Sequence, residues 1–102
     1  EKYREAIKDY SAAIKIRPDY VKAYNNRAFA NLAIENYKGA ISDCNQAIKH
    51  DKGLSEITKM SYYNRGVAKL NIGDQSACND IKKAKSLGET VPIEILNFCN
   101  IK

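Results

Sequence analysis

The stretch Glu5-Ala6-Ile7-Lys8-Asp9-Tyr10-Ser11-Ala12-Ala13-Ile14-Lys15 returns as Gly39-Ala40-Ile41-Ser42-Asp43-Cys44-Asn45-Gln46-Ala47-Ile48-Lys49, so that Ala6, Asp9, Ala13 and Ile14 each recur 34 positions on. A shorter copy, Ala77-Cys78-Asn79-Asp80-Ile81-Lys82-Lys83-Ala84, follows after a further 37. A second series interleaves with the first. Tyr24-x-Asn26-Arg27-Ala28-x-Ala30-x-Leu32 is matched 38 positions later by Tyr62-x-Asn64-Arg65-Gly66-x-Ala68-x-Leu70. A period between about 20 and 50 residues signals stacked copies of one supersecondary unit, here built from two alternating segments.

Both segments are helical by pattern, because their apolar or small residues fall at i, i+3, i+4 and i+7 with no period-two alternation. Pro18-Asp19, Glu35-Asn36 and Gly73-Asp74 punctuate the chain, and Gly53 and Gly88 end helices. The pattern predicts helices over 2–16, 20–34, 37–51, 55–72, 75–87 and 91–100. Thr90 is the expected cap of the last one, with Pro92 in its first turn, where a missing N–H costs nothing.

Working outward, the 102 residues are 44% hydrophobic and 28% charged, which suits one domain near the lower size limit for burying a core. No apolar run approaches the roughly 18 residues that span a bilayer, so no membrane span is expected. The chain opens Glu1-Lys2-Tyr3 in helical register, without an initiator Met or targeting segment, and reads as a domain cut from a longer protein. Seventeen basic and twelve acidic residues give +5, interspersed apart from Lys82-Lys83-x-Lys85. Such charges mostly form a solvated helix face, so nucleic acid is an unlikely partner. Cys44, Cys78 and Cys99 are odd in number and form no C-x-x-C, and with the single His50 they make a poor zinc set. Buried reduced thiols are expected, which favours a cytoplasmic setting while leaving the compartment open.

The recurrences resemble the tetratricopeptide repeat, whose pattern W-x2-L-G-x2-Y…A-x3-F…P runs over about 34 residues. Tyr24-x2-Arg27-Ala28 and Tyr62-x2-Arg65-Gly66 stand for its first part. Ala6-x3-Tyr10…Pro18, Ala40-x3-Cys44 and Ala77-x3-Ile81 stand for its second. In several places the chain departs from that pattern: Lys52 replaces the proline, Asn31 and Lys69 replace a tyrosine or small residue, and the Gly73–Ala77 turn is one residue short. The resemblance implies an all-α, right-handed superhelical stack of antiparallel helix pairs. By this register 1–17 is a half repeat, 21–52 and 55–88 are repeats, and 91–100 is a C-terminal capping helix. The link near 53–60 has four residues more than the pattern and should add a helical turn before Tyr62.

In the resembled family the first helix of each pair lines the concave face. That implies a partner-binding set of Lys22, Asn25, Asn26, Phe29, Leu32 and Ala33 from one repeat and Met60, Tyr63, Asn64, Val67 and Asn71 from the next. Asn can hold the amides of an extended chain, while Phe29, Met60, Tyr63 and Val67 supply apolar contact. A bland alternative is that Asn26 and Asn64 only bond neighbouring helices. Some family members clamp the C-terminal carboxylate of a chaperone tail with two Lys, an Arg and two Asn. Here the matching positions hold Met60 and Asn64, or Asn25 and Phe29, so that ligand is not expected.

Arg27 and Arg65 stand where apolar residues are usual, and Asp9, Asp43 and Asp80 recur at one place on the second helices. Both registers point to the packed side, which predicts an Arg–Asp ladder of structural role. Neither a nucleophile paired with a base, nor a phosphate loop, nor an H-E-x-x-H is present, so no enzyme activity, metal or cofactor is expected; His50 should face the negative end of its helix. The functional expectation is a non-catalytic scaffold or adaptor that binds a protein or peptide. The alternatives are self-association through helix 2–16, whose Ala6, Tyr10 and Ala13 face lies partly open, and weak binding of an anionic polymer. At the other end Ile93, Leu96 and Phe98, with Ile95 and Cys99, should cover helix 75–87.

Overall fold

Small side chains decide how closely the helices approach. Ala28, Ala40, Ala47, Ala68, Ala77 and Ala84 are buried in the contacts between helices, and the largest fully buried side chains are only Ile81, Cys44 and Ser61. Gly66 marks one close approach between helices, since a Cβ there would fall 2.6 Å from Ile81 Cδ1. The computed structural model describes residues 1–52 and 55–102. Its helices are α1 (Lys2–Ile16), α2 (Val21–Ala33), α3 (Tyr37–Asp51), α4 (Glu56–Asn71), α5 (Ala77–Ser86) and α6 (Ile93–Phe98). From α1 to α5 each packs on the next, and α2 also touches α4. Short links make consecutive helices antiparallel, and the result is an all-α solenoid slab of 41 × 30 × 19 Å with no strand among the described residues.

The helix ends follow one device. After α2, α4, α5 and α6 a left-handed residue turns the chain, and the residue beyond it donates its N–H to a carbonyl five positions back: Asn36 to Asn31, Asp74 to Lys69, Glu89 to Ala84 and Ile101 to Leu96. The turning residues are Glu35, Gly73, Gly88 and Asn100. The α3–α4 link is held differently. Asp51, the last residue of α3, accepts from the Ser55 N–H and hydroxyl and from the Thr58 hydroxyl, stapling the two helices across the link. Tyr62 stands seventh in α4 whereas Tyr24 stands fourth in α2, so the expected extra turn is present. The expected stop at Gly53 lies outside the described residues.

The ends of the chain correct several expectations. The α1 and α3 spans agree with the pattern, but α5 starts at Ala77 instead of 75, because Gln75 and Ser76 are spent in an Asp74-capped turn in which the Ser76 N–H and hydroxyl bond Asp74 Oδ1 at 2.8 Å. The last helix shrinks from 91–100 to Ile93–Phe98, with Pro92 and not Thr90 at its N-cap and no side-chain cap bond. Its proposed apolar cover is only half made: Val91 is buried and Ile95 and Leu96 are half-buried, while Ile93 and Phe98 face solvent at 61% and 73% exposure. A covalent bond does what packing does not. Cys78 on α5 and Cys99 after α6 form a disulfide, with Cα atoms 5.4 Å apart. The expectation of three reduced thiols therefore holds for Cys44 alone, and the unpaired-cysteine argument for a cytoplasmic setting loses its premise. Burial pushes the Cys44 thiol up to about 12, so it behaves as a small apolar residue.

Candidate functional site

Two ionic clusters position the first helices of the stack. Arg27 on α2 donates from Nε and Nη2 to both oxygens of Asp43 on α3, at 2.9 and 2.6 Å, and from Nη1 to the Ser11 hydroxyl on α1 at 2.9 Å. Arg65 on α4 repeats this with Asp80 on α5, at 2.8 and 2.7 Å, and with Asn45 on α3 at 2.9 Å. Each guanidinium thus joins three consecutive helices, and its planar fork matches the carboxylate. The Asp43 hydrogen bond, outweighing desolvation, raises the Arg27 pKa further, and Asp80 does the same for Arg65. Asn31 and Lys69, which looked like departures from the repeat pattern, are the remaining ligands: the Asn31 amide reaches Asp43 at 3.0 Å and the Lys69 ammonium reaches Asp80 at 3.2 Å. The expected ladder is therefore present, while Asp9, its third member, stays exposed.

Held this way, α2 and α4 leave a groove of about 250 Å³ between them. Its floor is polar and internally bonded: buried Asn25 accepts from the Ser61 hydroxyl at 2.9 Å and from the Asn64 amide at 3.3 Å. Asn25 is thereby a helix-to-helix strut, and Asn64 divides its amide between that strut and the groove. Asn26 is half-buried on the wall and makes no side-chain hydrogen bond among the described residues. The apolar lip is Phe29, 57% exposed, and Met60, 42% exposed, with the Tyr3 ring edge-on to Phe29 at 6.5 Å. Tyr63 and Glu89 close the far end, where burial, and secondly the Glu89 carboxylate, raise the Tyr63 phenol.

Of the eleven side chains expected on the partner-binding face, Asn25, Asn26, Phe29, Met60, Tyr63 and Asn64 line this groove, whereas Lys22, Leu32, Ala33, Val67 and Asn71 lie outside it. Asn71 turns its amide onto the Val67 carbonyl of its own helix at 2.8 Å. The reading of the sequence missed Glu89, because that residue enters through the turn at Gly88 and not from a first helix; the Gly88 stop was the one available signal. His50 lies in the last turn of α3, as expected, and also stacks on Tyr24 with ring centroids 6.0 Å apart. No group of three His, Cys, Asp or Glu gathers as a metal set, and no helix is long and apolar enough to cross a membrane, among the described residues.

A family model described as TPR repeat matches residues 1–34. Human tetratricopeptide repeat protein 36 is 32% identical over 84 residues, 81% of this chain and 44% of that protein, and the Xenopus tropicalis protein of the same name is 34% identical over 84 residues. These matches support the tetratricopeptide-repeat family for this chain. Tetratricopeptide repeats in general support protein–protein interaction. The chain spans less than half the length of the curated relatives it matches. Human serine/threonine-protein phosphatase 5 is 37% identical over 71 residues, but those are only 13% of that protein, a share too short to carry its activity across.

Proposed function

We propose that this chain is a non-catalytic tetratricopeptide-repeat adaptor that holds an extended segment of a partner protein in the groove between α2 and α4. The observation that carries this reading is the exposed Phe29–Met60 pair beside the uncommitted Asn26 amide. An exposed apolar lip beside a polar floor and a free side-chain amide suits a main chain with one bulky side chain better than a flat domain face. Peptides selected on the chain should lose about 1–3 kcal/mol of affinity with Phe29→Ala and with Asn26→Ala, while helical circular dichroism stays constant. Equal affinity for both variants and the parent would sink the proposal. Asn64→Ala is a poorer probe, because it also breaks the strut to Asn25.

Self-association is a second reading, supported by α1. None of its residues is buried, Tyr3 and Ile16 are exposed at 40% and 86%, and Asp9 lacks the arginine that Asp43 and Asp80 each have. Sedimentation across a hundredfold range of concentration separates the two, since a groove-binding adaptor keeps one mass throughout.

A further inference from the structure

The groove has a sign. It lies on a chain of net charge +5, yet among the described residues the only ionised side chain that lines it is Glu89. Near that end Lys59 feels two carboxylates, Glu56 first and Glu89 after it, so these three groups carry two acids and one base. Lys59 is engaged by Glu56 at 2.7 Å, which cancels one acid with one base, and Glu89 makes no ion pair within 4 Å among the described residues. Glu89 is held in place by the backbone: Gly88, at φ 102, reverses the chain, and the Glu89 N–H bonds the Ala84 carbonyl at 3.0 Å. Val91, two residues on, is buried and anchors the same segment against the stack. A carboxylate fixed at the rim of a partly dry, apolar cleft acts on a ligand through a lower dielectric than bulk water, so its sign matters for selection.

We propose that the groove selects an internal, extended partner segment in which a bulky apolar residue is followed closely by a lysine or arginine. The apolar side chain would lie on Phe29 and Met60, the Asn26 amide would pair with the segment's backbone, and the basic side chain would reach Glu89. A segment with an acid in the same place would meet Glu89 with like charge. This inference rests on the adaptor reading above and adds to it the charge of the ligand.

The probe is an N-acetylated, C-amidated random peptide library, selected separately on the parent chain and on Glu89→Lys. Parent selections should enrich lysine or arginine within a few residues of an apolar position, and Glu89→Lys selections should lose that preference or turn it toward aspartate and glutamate. For a single enriched peptide, Glu89→Gln should weaken binding about two- to fivefold, as expected for a partly exposed ion pair, and the difference should shrink as salt rises. Enrichment that depends on Phe29 and Asn26 but shows the same charge preference on both chains would overturn the role of Glu89 and leave the adaptor reading standing. Enriched peptides indifferent to Phe29→Ala and Asn26→Ala, or no enrichment at all, would overturn both. Glu89 is half-buried in a turn, and unchanged circular dichroism of its variants checks that the fold is retained.

Discussion

The cluster around Asp43 and the cluster around Asp80 share an arginine fork and differ in one ligand. Asp43 takes a neutral amide from Asn31, so the first cluster is balanced; Asp80 takes the Lys69 ammonium, so the second carries one excess positive charge. All these groups sit in similar depth, with aspartate side chains 5% and 7% exposed and the two arginines 23% and 19%. The difference teaches that one geometric role can be filled with different electrostatic consequences. The same backbone register delivers a side chain to the aspartate from the position one turn after the arginine, and only the chemistry of that side chain sets the charge.

The largest expected effect tests this asymmetry. Asp80→Leu leaves Arg65 and Lys69 together without their anion and should cost about 3–5 kcal/mol of stability in urea denaturation, while Asp43→Leu, which strands Arg27 alone, should cost about 1 kcal/mol less. Arginine removal should invert the order: after Arg65→Met the carboxylate still has Lys69, so this change should be milder than Arg27→Met. Equal costs within each pair would break the comparison.

A smaller effect compares the stops of the two first helices. The turning residue after α2 is Glu35 at φ 63, and after α4 it is Gly73 at φ 73 with open space around it. Left-handed backbone penalises a Cβ by about 1–2 kcal/mol. Gly73→Ala should therefore lower the urea midpoint by that order, and Glu35→Gly should raise stability by about 0.5–1 kcal/mol. A loss on Glu35→Gly would show that its side chain contributes something the backbone argument omits.

The smallest effect concerns the staple between the two pairs. Burial alone would raise the Asp51 carboxyl, but hydrogen bonds from the Thr58 and Ser55 hydroxyls and backbone outweigh it and hold the group below its ordinary value of 3.8. The folded chain then binds the proton less readily than the unfolded one, so the staple stabilises at neutral pH and fades as pH falls through the folded value, below about 4. Asp51→Asn should cost about 0.5–1 kcal/mol at pH 7 and almost nothing near pH 2. A cost independent of pH between those limits would remove the charge from the explanation.

The sequence by itself determined the repeat, the all-α class, the helix spans of α1 and α3, the family resemblance and the pairing of Arg27 and Arg65 with aspartates. All of these follow from spacing along one helix or from a period shared by copies, and spacing is a property of the chain alone. It also named six of the groove's seven lining residues, through the resemblance to a family in which the first helix of each pair lines the concave face. Only the tertiary structure decided what fills the remaining places. Ser11 and Asn45 were unremarkable until the stack brought them to the third arm of each guanidinium, and Asn31 and Lys69 looked like departures until they met Asp43 and Asp80. Glu89 and the Cys78–Cys99 bond depend on how the chain turns back after α5, where one glycine and a six-residue helix leave no period to read. Contacts across such a turn are set by the direction of a few backbone dihedrals, and a one-dimensional pattern carries little of that information.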